Sequence, residues 1–128
     1  MGIAVRIVRL LLGLIFVGAG LNGFFLFFTP PKHSPDGGAF IDLLVSSGYM
    51  DVEKALEVMG GALLLWNRYV LLGLVILGPL VVNILLFHLL LERKALLWMG
   101  VLPFLLWASL MWAYRRHFGV LFTDRVEP

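Results

Sequence analysis

The sequence predicts an all-α integral membrane protein, a four-helix transmembrane bundle with a short outer amphipathic segment between spans one and two. Three observations carry that expectation. Of the 128 residues, 61% are hydrophobic and 14% charged, against about 45–50% and about 25% in soluble domains. The charges are bunched between long uncharged runs instead of lying along one face of each helix. With four crossings, more of the basic residues fall on one side than on the other, as the positive-inside rule requires of a multi-pass chain.

The elements follow in order. Leu10 to Pro31 runs uncharged between Arg9 and Lys32, enough for the roughly 20 residues that cross a hydrocarbon core, and places span one at about 5–28. Arg6 and Arg9 before LLLGLIFVGAG have the outline of a signal peptide, but the apolar run continues through Phe28, which favours a retained span. The outer loop and short helix occupy 29–50. TPPKHSPDGG is turn chemistry, and AFIDLLVSSG predicts a helix that starts at Asp36 or a following glycine. Phe40, Leu43 and Leu44 share its apolar face, and Gly48 ends it. Asp51 is expected to cap span two, with Glu53 in the first turn, where a carboxylate complements the helix dipole.

Span two, about 51–66, is the hardest to justify, because only ten uncharged residues separate Glu57 from Arg68. It must carry Glu57, Glu53 and Lys54 into the membrane. Parity supports it. With four crossings, Arg6, Arg9, Arg68, Arg115, Arg116 and Arg125 fall on one side, and Lys32, Lys54, Arg93 and Lys94 on the other. With three, the basic residues favour the wrong face. Span three, about 69–91, and span four, about 95–114, are long uncharged runs, and 115–128 is a tail. Both termini are therefore expected to be cytoplasmic. Trp66, Tyr69, Trp112 and Tyr114 mark the cytoplasmic ends, and Tyr49 and Trp98 the outer ends, as interfacial belts.

Composition also excludes functions. A net charge of +2, with its basic residues flanking spans, is topology and not a nucleic-acid patch. With no cysteine, thiol–disulfide chemistry and thiolate metal sites are ruled out. His33, His88 and His117 show no metal-ligand spacing.

Against this apolar background four polar residues define a candidate ligand-binding layer: Asn22, Glu57, Asn83 and His88. At 1.5 Å rise per residue, Asn22 and Glu57 lie about 9 Å from the outer ends of spans one and two, Asn83 about 12 Å and His88 about 4–5 Å from that of span three. Polar residues in spans usually face the bundle interior. Gly18, Ala19, Gly60 and Gly61 flank two of them and are the expected helix-packing positions. The bland readings stand beside this one. The asparagines serve equally as interhelical hydrogen-bond glue, and His88 as an interfacial residue. Glu57 has either Lys54 or His88 as its partner. Asn83 and His88, about 140° apart on an ideal helix, need not share a pocket. Gly78-Pro79 and Pro103 free backbone carbonyls near mid-span.

The stretch from Glu57, EVMGGALLLWNRYVLLGLVILGPLVVNILLFH, together with RLLLGLIFVGAGLNGFF near the start, resembles the DoxX family of small bacterial membrane proteins over roughly residues 6 to 115. The matching elements are the Gly-rich first span, Glu57-x-x-Gly60-Gly61, Asn67-Arg68-Tyr69, Pro79, Asn83 and Phe87-His88. The resemblance implies a four-span bundle in the cytoplasmic membrane and an association with membrane redox systems, with quinone as the conceivable cofactor. It carries over no catalytic residue. The expectation is a subunit or accessory factor of a redox system, without catalysis of its own, whose polar layer binds a quinone or other lipophile. The alternative is a non-catalytic assembly or interaction factor. The bilayer, a partner membrane protein or redox subunit, and a second copy of the chain are the expected partners; nucleic acid is not.

Overall fold

A computed structural model describes residues 2–25, 33–92 and 94–128, with no strand among the described residues. Helix α1 (Ile3–Phe25) is followed by α2 (Pro35–Ser47), α3 (Tyr49–Trp66) and α4 (Val70–Leu86), the last continued by a π-turn over Phe87–Leu91. A 3₁₀ turn at Lys94–Leu96 leads into α5 (Trp98–Ala113), and a short α6 (Arg115–Phe118) and a 3₁₀ turn at Gly119–Phe122 follow. Three stretches, Ile3–Phe25, Val70–Leu91 and Lys94–Ala113, are long and apolar enough to cross a membrane. The chain thus has the character of a multi-pass membrane protein.

The glycines set how α3 sits between its neighbours. A methyl group on Gly13 would meet Gly61 O at 3.0 Å, and one on Gly20 would meet Lys54 O at 2.8 Å. Low residues of α1 therefore face high residues of α3: the two run antiparallel with backbones in contact. Gly60 and Gly73 repeat the arrangement between α3 and α4, where a Cβ on Gly73 would lie 3.0 Å from Gly60 O. In lipid there is little hydrophobic gain from joining apolar helices, so such close van der Waals approach is what holds them. Trp107 Nε1 on α5 donates to Leu74 O on α4 at 3.0 Å. Gly78 leaves room for its indole, since a Cβ there would lie 3.3 Å from Cζ2. α5 is thereby antiparallel to α4, and Gly78 acts as a seat for Trp107 beside Pro79.

Turn chemistry explains the connections. Ser34 caps α2 by accepting the Gly37 N–H at 3.1 Å, and Pro35 occupies the first turn, where its missing N–H costs nothing. The helix thus begins slightly before Asp36. Gly48, at φ 82°, both ends α2 and starts α3. With no extended residue between the helices, Asp51 lies inside the first turn of α3 and is not its cap, contrary to expectation. Asn67 (φ 59°) and Tyr69 (φ 56°) reverse the chain into α4.

The dry core lies at the end of the bundle that holds both chain termini: Leu12, Leu64, Leu74, Leu77 and Leu110 are essentially inaccessible, and Tyr114 and Phe118 close it. Tyr114 is therefore a core residue and not part of an interfacial belt, because α6 turns back under the bundle. Trp66, Tyr69 and Trp112 at this end, and Tyr49 and Trp98 at the other, are exposed as expected.

Candidate functional site

The larger opening lies in the other half. There, beneath α2, the helices border a half-open cavity of about 520 Å³. Its size lies within the usual range of small-molecule sites, about 300–1,000 Å³.

α3 contributes the charged wall. Glu57 lies on the buried stripe Glu57–Gly60–Gly61–Leu64 and retains only 5% of its accessible surface. Lys54, one turn earlier, places Nζ 3.1 Å from Glu57 Oε2 as an ion pair. Oε2 is itself buried, and this ion pair is its contact among the described residues. Of the two partners open to Glu57, the structure pairs it with Lys54. Glu53 also lines the cavity.

α4 supplies the opposing polar wall. His88 is buried, and its Nδ1 donates to Ile84 O at 2.9 Å. It stands edge-on to the Phe87 ring, with centroids 5.1 Å apart. Gly100 makes that burial possible: a Cβ there would lie 3.1 Å from both His88 Cβ and Ile84 O, so α5 closes directly over the histidine. The π-turn begins at this point, with the Glu92 N–H reaching Phe87 O at 3.0 Å. Such single-turn expansions often mark functional positions. Asn83 also lines the cavity, but it is exposed. The expectation that it faces the bundle interior is thus corrected. It sits on the open side of the wall, because the buried stripe of α4 runs through Leu77, Leu80 and Val81.

Asn83 and His88 nevertheless share one cavity with Glu57. Asn22 does not: the α1 wall consists of Ile15, Phe16 and Ala19, and Asn22 is half-buried beyond it. Among the expected packing positions, Gly60 and Gly61 are buried contacts, and Ala19 belongs to the cavity wall. Gly18 is exposed, and a Cβ there would meet no described residue. The α1 contact stripe is Gly13–Phe16–Gly20, from which Gly18 is rotated away.

Sequence reasoning missed the roof and its fastening. Phe40, Ile41 and Leu44 of α2 face the cavity, whereas Leu43, expected on that face, is exposed. The start of α2 is tied to the end of the π-turn. Glu92 Oε1 accepts the Ser34 N–H at 2.7 Å, Oε2 lies 2.6 Å from His33 Nδ1, and Ser34 Oγ donates to Leu91 O at 2.5 Å. The Glu92 side chain is fully buried in this latch. At the opposite end of the molecule, Arg9 is also buried, and its guanidinium donates to Leu64 O near the end of α3. The sequence offered Arg9 and Glu92 only as span-flanking charges.

Comparison with protein-family models, curated proteins and solved structures returns no match to this chain.

Proposed function

We propose that this chain is a four-span protein of the bacterial cytoplasmic membrane, of the DoxX kind, with both termini cytoplasmic. In this reading it holds a small amphipathic lipophile with a quinone-type ring in the cavity beneath α2. It serves a membrane redox system as a subunit or accessory factor, without catalysis of its own. The observation that carries the reading is the grouping of Glu57, Asn83 and His88, from two facing helices, around one otherwise apolar cavity. A ring-bearing lipophile needs this combination: apolar walls for ring and tail, and a few fixed polar groups for its oxygens.

The test is titration of the purified protein in nanodiscs with a short-chain alkylbenzoquinone and its hydroquinone. Quenching of Trp98, which lines the cavity, is the readout, and Trp98→Phe is the control for the other tryptophans. Saturable quenching that is lost in the cavity-filling variant Ala19→Phe is expected. Absence of saturable binding by either redox form would remove the proposal.

A further inference from the structure

We infer that the cavity selects lipophiles that donate a hydrogen bond from a hydroxyl, so that it takes a phenol or hydroquinone head in preference to the corresponding quinone. The inference rests on the reading of the cavity as a lipophile site and concerns the chemistry of its head group.

One acceptor of the cavity lining is fixed by its own local bonding. His88 lines the cavity, and its Nδ1 is committed to Ile84 O at 2.9 Å. A carbonyl only accepts, so Nδ1 carries the proton. In the neutral ring Nε2 is then an acceptor. Gly100 and the edge contact with Phe87 hold the imidazole in place, which opposes a ring flip that would exchange the two nitrogens.

Glu57 Oε2 is not available in the same way, because it is buried against Lys54 Nζ at 3.1 Å. A ligand hydroxyl would satisfy His88 Nε2. A quinone carbonyl would not, and against Nε2 it would set lone pair against lone pair. A ligand ammonium would also donate, but Lys54 in the same lining already places a positive charge there.

The experiment compares four probes of equal tail length in the same nanodiscs: an alkylhydroquinone, its dimethyl ether, the alkylbenzoquinone and an alkylammonium. The hydroquinone is expected to bind about tenfold more tightly than the ether or the quinone, as one hydrogen bond to a charged or strongly polar acceptor implies. In His88→Phe, which keeps an aromatic ring at the α4–α5 contact, the preference is expected to fall. His88→Leu provides a second variant if His88→Phe does not fold. Equal binding of hydroquinone, ether and quinone, or tighter binding of the ammonium, would overturn the inference while leaving a lipophile site intact. Failure of all four probes to bind would instead overturn the underlying reading.

Discussion

Arg9 and Gly20 are residues whose importance depends on a neighbour far away in the chain. Arg9 donates to Leu64 O, which otherwise receives the long Asn67 N–H bond at 3.4 Å. Carbonyls at a helix C-terminus lack intrahelical partners, and a guanidinium answers both their lone pairs and the negative end of the helix dipole. Arg9→Met keeps much of the side-chain length and removes the donor. It is expected to destabilise the protein by about 1.5–3 kcal/mol, read as a lower unfolding midpoint in mixed detergent micelles. Gly20→Ala would push Cβ to 2.8 Å from Lys54 O and 2.5 Å from Val58 Cγ2. Because backbone is one of those neighbours, the helices must separate, at about 1–3 kcal/mol. Gly18→Ala meets nothing and is expected to change stability by no more than about 1 kcal/mol, in the stabilising direction, since alanine favours the helix. Equal effects at the two glycines would contradict the α1–α3 contact. The sequence showed a glycine-rich first span but not which glycine faces α3. Gly18 shares a face with Asn22 by spacing, and that polar residue does not lie on the packed stripe.

At the scale of the element, α2 is fastened at both ends. Gly48 joins it to α3 by a single residue, and the latch of Glu92 with Ser34 and His33 ties its start to the π-turn. Gly37 has no room for a side chain there, since a Cβ would lie 2.9 Å from Glu92 Oε2. Glu92→Gln removes the charge that strengthens these bonds, and Ser34→Ala removes both the cap and the donor to Leu91 O. The double variant is expected to raise amide hydrogen exchange in α2 about tenfold or more, as loss of about 1.5–3 kcal/mol of charge-assisted bonding requires. Exchange in α1 should be unchanged. Uniform acceleration in both helices would mean that the latch supports the whole bundle and not α2 alone. That α2 exists, and that Gly48 ends it, was legible from a short apolar run bounded by turn residues. Its orientation was not, because a helix of this length exposes apolar residues on both sides and the latch partner Glu92 is 58 positions from Ser34. The same limit applies to the candidate site. Depth counting placed Glu57, Asn83 and His88 near one another, but rotation about each helix axis decides who faces whom, and glycine contacts set that rotation.

For the whole molecule, the decisive question is whether α3 crosses the bilayer. Its first half carries Asp51, Glu53, Lys54 and Glu57, which sets it apart from the three apolar stretches. Yet it lies antiparallel to α1, from Gly20 opposite Lys54 O to Gly13 opposite Gly61 O. Those α1 positions span about 10 Å at 1.5 Å per residue, deep within a helix that is itself long enough to cross. Burying Glu57 against α1 and α4 and pairing it with Lys54 lowers the cost of carrying charge to that depth. A chain without cysteine gives the test an empty background. Single cysteines at Ser46 on α2, Arg68 after α3 and Thr123 after α5 are labelled with a membrane-impermeant maleimide in oriented vesicles. A crossing α3 places Ser46 on one side and both Arg68 and Thr123 on the other. Labelling of Ser46 and Arg68 from the same side would make α3 a re-entrant helix. It would also reverse the sidedness of α4 and α5, and remove the positive-inside argument for four spans.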